Sequence, residues 1–230
     1  MTSVAFINKH EIDDFVRKQT GLSNRLVFKK ICITKDEFNV LTSSGWFFDS
    51  IINYYLELVT DYAKFLRLKV GSLNTANSLF FVKESLENTV AKLNEHSFLN
   101  QDLFFIPLHV NGNHWSLIVF EKKKLILEYW DSMNSHDSAY AGIIKKLVKS
   151  IEHMLVQKTK RISKINVEII NCQKQDNDYD CGMFVCLFAR NRLFERTFKI
   201  NKETLSIFRL IIAHEIIEKK ILYHTNVQLK

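Results

Sequence analysis

Three apolar runs separated by two polar turns, between residues 103 and 131, constrain the fold of this chain most strongly. Leu103 to Val110 has the composition of a strand that ends at the turn Asn111-Gly112-Asn113, and His114 to Phe120 has that of the next strand. Glu121 to Lys124 turns the chain back, and Leu125 to Trp130 returns as an antiparallel partner. The segment therefore predicts a β-sheet with at least one antiparallel hairpin.

Segments with helical periodicity lie on both sides of these strands. Apolar residues at helical spacing predict helices over 11–19, 49–59, 84–96, 141–157 and 203–221. The β-branched run from Ile165 to Ile170 predicts another strand, and the apolar run from Leu79 to Val82 is consistent with one. Strands interleaved with helices favour an α+β fold.

The chain carries no sequence signal of an internal domain boundary. Its 230 residues include only one proline and six glycines, and no Ser/Gly-rich or Pro-rich linker breaks them. A chain of this length can bury a full hydrophobic core, so one domain is expected. We expect residues 1–30 to form a peripheral N-terminal arm or helix and residues 31–230 to form the principal domain.

The cysteine count and the hydropathy pattern argue against several classes of protein. Four cysteines are too few for a disulfide scaffold, and they lack the C-x-x-C pairing of a structural zinc site. We therefore expect reduced thiols and no metal. No apolar run approaches the ~20 residues of a membrane span, and the acidic residues near the N-terminus do not fit a signal peptide. The sequence predicts a soluble, intracellular protein that does not bind membranes.

The net charge of +7 permits an acidic partner. Nucleic acid is one such partner, and the acidic surface of another protein is a second. The basic residues are scattered through amphipathic segments, and no nucleic-acid motif accompanies them. We expect no nucleic-acid partner.

Cys181 is the candidate nucleophile. It precedes Gly182 and an apolar run to Ala189, a pattern that predicts a thiol at the start of a buried helix. Asp180 is expected to cap this helix through its carboxylate, and the helix dipole favours thiolate over thiol. Gly182 is expected to leave room beside the sulfur for a substrate backbone. The alternative, a buried structural cysteine, is the preferred interpretation for the other three, Cys32, Cys172 and Cys186.

A nucleophilic cysteine needs a base, a residue that orients the base, and donors for the oxyanion. His114 and Asp131 lie at the near ends of two paired strands, so a hairpin can bring imidazole and carboxylate together. Gln175 lies in the polar loop before Cys181 and can act as an oxyanion donor together with the Cys181 backbone N–H. His109 is a rival to His114, and composition and spacing alone do not separate the two.

Four short motifs occur in one order along the chain. They are Trp46…Asp49, His114-Trp115, Tyr129-Trp130-Asp131-Ser132 and Gln175-x5-Cys181-Gly182. Together they closely resemble the SUMO-specific cysteine proteases, the ubiquitin-like-protein-processing family also called sentrin-specific proteases, over about residues 30–222. The resemblance implies a papain-like α+β fold with a central mixed or antiparallel sheet flanked by helices, and it makes 31–230 the catalytic domain.

The resemblance also implies a role for each residue of the site. It implies four catalytic residues: Cys181 as nucleophile, His114 as base, Asp131 as the residue that orients the base, and Gln175 as oxyanion donor. It implies three substrate-binding residues: Trp46 and Trp115 as walls of a narrow tunnel for the Gly-Gly tail of the modifier, and Asp49 as a contact to the modifier's C-terminal strand. No cofactor and no metal is implied.

The chain departs from the family's usual pattern near these motifs. Phe47-Phe48 stand where Leu-Asn or a close variant is usual, Gln173 replaces a proline, and Lys174 replaces the first of two glutamines. Asp178 stands where a glycine is common. Because Asp tolerates left-handed backbone better than most residues, we expect the loop before Cys181 to form.

The sequence therefore predicts a cysteine protease that cleaves after the terminal Gly-Gly of a SUMO-type modifier, from lysine isopeptide bonds or from a precursor. A protease for ubiquitin or another ubiquitin-like modifier is the alternative, followed by a same-fold acyltransferase and by a non-catalytic modifier-binding module. We expect a monomer of the nucleus or cytoplasm whose partners are the modifier and its conjugates.

Overall fold

The computed structural model describes residues 5–20, 25–77, 81, 84–110, 112–133, 138–195, 202–222 and 227–229. The chain forms two compact units. Unit 1 combines both ends of the chain, Met1–Tyr62 and Asn177–Lys230, and unit 2 is the middle segment, Ala63–Asp176. One change of unit falls inside a helix and the other inside a short polar loop, so no Gly-rich or Pro-rich linker marks either of them.

The described helices and strands follow one another along the chain. The helices are α1 (Lys9–Thr20), α2 (Lys35–Asn39), α3 (Asp49–Phe65), α4 (Leu86–Glu95), α5 (Ser138–Thr159), α6 (Cys181–Leu193) and α7 (Lys202–Glu218). The strands are β1 (Ala5–Ile7), β2 (Arg25–Phe28), β3 (Ile31–Thr34), β4 (Val70–Ser72), β5 (Leu103–Val110), β6 (His114–Glu121), β7 (Ile126–Trp130), β8 (Asn166–Ile169) and β9 (Val227–Leu229). Short 3-10 helices span Val40–Thr42 and Phe98–Asn100.

Unit 2 is built on a five-stranded mixed sheet in the order β4-β5-β6-β7-β8. The three central strands are antiparallel, as the sequence predicts, and the outer pairs β4–β5 and β7–β8 are parallel. Strand β6 is buried along nearly its whole length, because it lies in the middle of the sheet. This position explains why its run from Leu117 to Phe120 is continuously apolar rather than alternating.

The core of unit 2 lies between this sheet and the helices that follow its strands. Side chains of the sheet and of α5 form one buried apolar cluster, with Ile106, Ile118 and Leu147 fully buried in it. Helix α4 begins after Ser85, whose hydroxyl accepts a hydrogen bond from the Asn88 backbone N–H at 3.2 Å. This cap satisfies one of the N–H groups left over at the helix start.

Unit 1 is mainly helical and contains a buried ionic network. The Arg190 guanidinium in α6 donates to both Glu215 carboxylate oxygens in α7, at 2.9 and 2.7 Å. It also donates to the Tyr55 hydroxyl in α3 at 2.8 Å, and that hydroxyl donates to Glu215 at 2.7 Å. Burial raises the pKa of Tyr55 well above its ordinary value, so the hydroxyl stays protonated and can donate. The network joins α3, α6 and α7.

The N-terminal helix α1 packs on the rest of unit 1. Val16 is fully buried, and the rings of Phe15 and His214 lie 4.5 Å apart. This helix contains the predicted helical segment 11–19. Strands β1 and β9 pair in parallel, and β2 pairs with β3 in an antiparallel hairpin.

Most of the predicted elements are present, and one lies largely outside the described residues. The helices predicted at 49–59, 84–96, 141–157 and 203–221 are found, with shifts of a few residues at their ends. The run from Leu79 to Val82, predicted as consistent with a strand, lies outside the described residues except for Phe81, which is helical and fully buried.

Candidate active site

Cys181 is the first residue of α6, as the sequence predicts. Every residue of α6 from Cys181 to Arg190 is buried, and Cys181 itself is 1 % exposed. The apolar run after the cysteine is therefore a core helix of unit 1. Its first turn presents backbone N–H groups that lack partners within the helix.

The predicted capping role of Asp180 is wrong. Asp180 has helical backbone angles, φ −88° and ψ −1°, and its side chain makes no capping hydrogen bond. Its buried carboxylate instead accepts from the Arg209 guanidinium, with the Nε donor at 2.8 Å, and from the Asn177 amide at 2.7 Å. A buried carboxylate is stabilised more by a charged partner than by a backbone N–H.

Arg209 is not among the residues that the sequence predicts for the site, although it holds several parts of unit 1 together. Besides Asp180, its guanidinium donates to three backbone carbonyls within 40–45 at 2.9 to 3.0 Å: those of Val40, Ser43 and Gly45. It also lies over the rings of Phe47 and Tyr179, at 4.8 and 5.5 Å from their centroids. One side chain thus ties the residue before Cys181 to the segment that leads into Trp46. The signal available in the sequence was a single charge inside the apolar run Ile207 to Ala213.

The predicted role of Gly182 also needs correction. A Cβ atom at this position would lie 2.7 Å from the Phe47 Cβ and 3.3 Å from the Ile52 Cδ1. The space that a side chain would occupy is filled by unit 1 itself. Gly182 is therefore required for the packing of α6 against Phe47.

His114 and Asp131 meet in unit 2 as the hairpin predicts. The His114 Nε2 and the Asp131 Oδ1 are 2.7 Å apart, and both residues are buried. The same carboxylate accepts from the Met133 backbone N–H at 2.8 Å and from the Tyr129 hydroxyl at 3.3 Å. A carboxylate at Nε2 favours the neutral tautomer that carries its proton there, which leaves the lone pair on Nδ1 to accept a proton.

The structure separates the two candidate histidines. His109 faces Trp115 across the β5–β6 pair, and their rings stack at 4.1 Å with an interplanar angle of 15°. His114 carries the carboxylate partner and lies edge-on to the Tyr140 ring at 6.4 Å. His114 therefore has the arrangement of a base with an orienting acid.

Gln175 is held by the residue that follows Asp131. The Ser132 hydroxyl donates to the Gln175 Oε1 at 2.6 Å, and the Gln175 backbone N–H donates to the Ser132 carbonyl at 3.0 Å. Ser132 is 1 % exposed, whereas Gln175 is half-buried. With its oxygen engaged by Ser132, the carboxamide presents its NH₂ group on the other side.

The loop before Cys181 keeps its contacts to the Asp131 segment without a glycine. The Asp131 carbonyl accepts from the Lys174 ammonium at 3.0 Å and from the Cys172 thiol at 3.3 Å. Asp178 is not among the described residues with left-handed backbone. The glycine that the resemblance leads one to expect at 178 is therefore not needed for backbone geometry.

The three predicted substrate-binding residues differ in exposure. In unit 1, Trp46 is 46 % exposed, and Asp49 is the exposed first residue of α3, with its carboxylate bonded to the Ser50 N–H at 2.9 Å. In unit 2, Trp115 is 7 % exposed beneath His109. Phe48, one of the departures from the usual pattern, lies two residues after Trp46 and is 47 % exposed.

The other cysteines occupy three different environments. Cys186 is fully buried, and burial raises its pKa well above the ordinary range. Cys172 is half-buried, and burial raises its pKa as well. Cys32 is exposed on β3, so the prediction of a buried structural cysteine is wrong at this position. The hairpin is short, and the β3 side chains next to Ile33 point outward.

Within the described ranges, no group of three or more His, Cys, Asp or Glu side chains is arranged to hold a metal ion. None of the helices in the described part of the chain combines the length and apolar character needed to cross a membrane.

A cysteine at a helix start, a histidine oriented by a carboxylate and an amide donor are the groups that thiol-dependent hydrolases use. Residues 45–221 match the family described as "Ulp1 protease family, C-terminal catalytic domain", so the chain belongs to this family. The matched range contains every predicted site residue.

Curated relatives agree with this assignment. The chain is 24 % identical over 207 residues to Sentrin-specific protease 2 of Homo sapiens, which covers 84 % of this chain and 33 % of that protein. It is 28 % identical over 229 residues to the Ubiquitin-like-specific protease ESD4 of Arabidopsis thaliana, covering 92 % and 46 %. The chain thus spans between a third and a half of the length of these relatives.

Solved structures confirm the predicted papain-like α+β fold. The C-terminal Ulp1 protease domain, solved in complex with Smt3, the yeast ortholog of SUMO, has a TM-score of 0.79 at 21 % identity and covers 95 % of this chain and 98 % of that one. The catalytic domain of the Chaetomium thermophilum Ulp1-like SUMO protease gives 0.79 at 16 % identity, covering 96 % and 94 %.

Proposed function

We propose that this chain is a cysteine protease that cleaves after the C-terminal Gly-Gly of a SUMO-type modifier. The products would be a modifier freed from a lysine side chain or a precursor trimmed to its mature end. The observation that carries the proposal is the buried contact of 2.7 Å between His114 and Asp131 in a chain of this family. The pair is a base with a fixed tautomer, which a thiol nucleophile requires.

The proposed reaction has two halves. The Cys181 sulfur attacks the carbonyl carbon of the terminal glycine, and its proton passes to the Nδ1 of His114. Collapse of the tetrahedral intermediate breaks the bond to the lysine nitrogen, which takes that proton and leaves as an amine, and a thioester remains. Water, deprotonated by His114, then attacks the thioester. This step releases the modifier with a C-terminal carboxylate and regenerates the Cys181 thiol.

The oxyanion of the tetrahedral intermediate needs donors that are already in place. We assign this role to the NH₂ group of Gln175 and to the backbone N–H of Cys181. The hydrogen bond from the Ser132 hydroxyl to the Gln175 oxygen supports the assignment, because it fixes which end of the amide is the acceptor and which is the donor.

The substrate assignment rests on the names of the relatives. They are called sentrin-specific and ubiquitin-like-specific proteases, and the structural neighbour was solved with a SUMO ortholog. Trp46 and Trp115 are proposed to enclose the Gly-Gly tail, which would exclude residues with side chains. Asp49 is proposed to hold the C-terminal strand of the modifier.

The remaining assignments belong to the same proposal. Residues 31–230 act as the catalytic domain, and 1–30 form a peripheral arm whose helix α1 packs on α7. The protein acts as a monomer on a protein substrate in the nucleus or cytoplasm, and it needs neither a cofactor nor nucleic acid.

Covalent probes test the substrate class. SUMO, ubiquitin and other ubiquitin-like modifiers, each with a cysteine-reactive group at the C-terminus, are incubated with the protein and with Cys181→Ala. We expect SUMO to label the protein and Cys181→Ala to remain unlabelled. Labelling by ubiquitin alone would replace the SUMO assignment, and binding without labelling would indicate a modifier-binding module.

A comparison of two substrates tests the bond that is cleaved. A SUMO precursor with a C-terminal extension and a SUMO–lysine conjugate are offered to the protein at equal concentration. Hydrolysis of either supports the protease assignment, and the ratio of the two rates assigns maturation or deconjugation. Transfer of SUMO to an added amine in preference to water would identify an acyltransferase.

A further inference from the structure

Ser132 and Gln175 are joined by two hydrogen bonds within unit 2. The Gln175 backbone N–H donates to the Ser132 carbonyl at 3.0 Å, and the Ser132 hydroxyl donates to the Gln175 Oε1 at 2.6 Å. The backbone contact places residue 175 beside residue 132. The side-chain contact then determines which way the carboxamide faces.

We propose that Ser132 is a positioning residue, which holds the Gln175 carboxamide with its NH₂ group toward the oxyanion of the reaction. The inference rests on the proposed function, because it gives Gln175 its role as donor. It adds to the machinery a residue that acts through Gln175.

The direction of an amide matters more than its presence. The oxygen and nitrogen ends of a carboxamide have nearly the same shape, so a rotation of about 180° exchanges a donor for an acceptor at the same place. An oxygen facing the developing oxyanion would repel it, whereas an NH₂ group stabilises it. The Ser132 hydroxyl has one proton and donates it to the Gln175 oxygen. This hydrogen bond favours the orientation in which the NH₂ group faces the oxyanion.

Ser132 can set this orientation because its own position is well determined. It is 1 % exposed, so water does not readily replace its hydroxyl. The preceding residue, Asp131, is held through both its carboxylate and its backbone carbonyl. The Asp131 carboxylate accepts from His114 and from the Met133 N–H, and the Asp131 carbonyl accepts from Lys174 and Cys172. The segment 131–133 therefore positions the orienting acid and the oxyanion donor together.

A double-mutant cycle tests whether Ser132 acts through Gln175. Steady-state hydrolysis of a SUMO substrate with a fluorogenic C-terminal amide is measured for the wild type, Ser132→Ala, Gln175→Ala and the double variant. We expect Gln175→Ala to lower kcat on the order of 100-fold, the usual loss for one oxyanion donor. We expect Ser132→Ala to lower kcat about 10-fold, as for one lost hydrogen bond, with KM nearly unchanged.

The double variant decides the question. If Ser132 acts only through Gln175, Ser132→Ala has no further effect in the Gln175→Ala background. An equal loss in both backgrounds would overturn the proposal, because a general structural role does not depend on residue 175. Unchanged kcat in Ser132→Ala would overturn it as well.

Two further variants separate orientation from stability. Ser150→Ala removes another fully buried hydroxyl of unit 2, one that donates to the Lys146 carbonyl of its own helix at 3.0 Å, and kcat is expected to stay the same. Ser132→Thr keeps the hydroxyl and is expected to restore most of kcat. If Ser132→Ala does not fold, Ser132→Cys keeps the size with a weaker donor and should show the same loss of kcat.

The cycle also distinguishes this inference from the proposed function. Loss of SUMO labelling in Cys181→Ala tests the protease assignment without reference to residue 132. If Gln175→Ala left kcat unchanged, Gln175 would not be an oxyanion donor, and Ser132 would have no positioning role. The protease assignment would still rest on the labelling.

Discussion

At the scale of single residues, the chemistry of this chain depends on how each polar side chain is oriented. The Asp131 carboxylate binds His114 through one oxygen and also accepts from the Tyr129 hydroxyl and the Met133 N–H, so it has little freedom. Asp180, an acid of the same type next to the cysteine, is bound to Arg209 and has a structural task. The residue types alone do not distinguish these roles.

The two neighbouring histidines give the first prediction. His114→Ala is expected to lower kcat/KM by about 10²–10⁴-fold, because it removes the base. His109→Phe keeps a ring stacked on Trp115 and is expected to change kcat/KM little. Hydrolysis of a fluorogenic SUMO substrate measures both. If kcat/KM fell strongly in His109→Phe but not in His114→Ala, the base would be His109 instead of His114.

The four cysteines are expected to differ in their reaction with iodoacetamide. Burial raises the pKa of Cys172 and Cys186, so both thiols remain protonated at neutral pH and react slowly with iodoacetamide. Their alkylation should become faster only as the pH rises. Exposed Cys32 is expected to react first in the Cys181→Ala variant. Peptide mass spectrometry after a short exposure identifies the modified sites. Rapid alkylation of Cys186 in the native protein would contradict its burial.

At the scale of elements, the start of α6 is positioned by close packing rather than by a cap. Gly182 allows the helix to approach Phe47, and Arg209 binds both Asp180 and the segment 40–45. The predicted α-helix at Cys181 is correct because a continuous apolar run is visible in the sequence. The reason for its glycine is not visible, because Phe47 is distant along the chain.

A pair of glycine substitutions tests this packing. Gly182→Ala is expected to destabilise the protein by about 1–3 kcal/mol, because its Cβ would meet the Phe47 Cβ. Gly142→Ala, in α5, has open space around the new methyl group and is expected to stabilise the protein by about 0.5–1 kcal/mol. Urea denaturation gives both values. An unchanged free energy of unfolding in Gly182→Ala would show that Phe47 moves readily to make room for the new methyl group.

At the scale of the whole molecule, two half-buried histidines make stability depend on pH. Burial lowers the pKa of His214, beside Phe15, below its ordinary value of 6.5, with Lys220 acting in the same direction and Glu215 and Glu218 opposing. Burial likewise lowers the pKa of His96, where Lys92 adds to the shift and Glu95 opposes it. Near pH 6 these two histidines therefore bind more protons in the unfolded chain than in the folded chain.

The free energy of unfolding is accordingly expected to fall as the pH drops through about 6.5. Above that value both states are deprotonated at these histidines and the effect disappears. Urea denaturation between about pH 7.5 and pH 6 measures the slope. The double variant His96→Gln, His214→Gln should show a smaller slope, and an unchanged slope would assign the dependence to other groups.

The sequence by itself determined the periodic elements, the order of the motifs and the hairpin that can bring a histidine to Asp131, because each depends on residues close together along the chain or across one hairpin. Only the tertiary structure decided between His109 and His114, assigned Asp180 to Arg209, gave Gly182 its packing role, exposed Cys32 and brought Ser132 to Gln175. The contacts of Asp180, Gly182 and Ser132 join segments far apart in the sequence, whereas the environments of His109 and Cys32 depend on how side chains pack on one hairpin. Local composition and periodicity carry no record of such contacts.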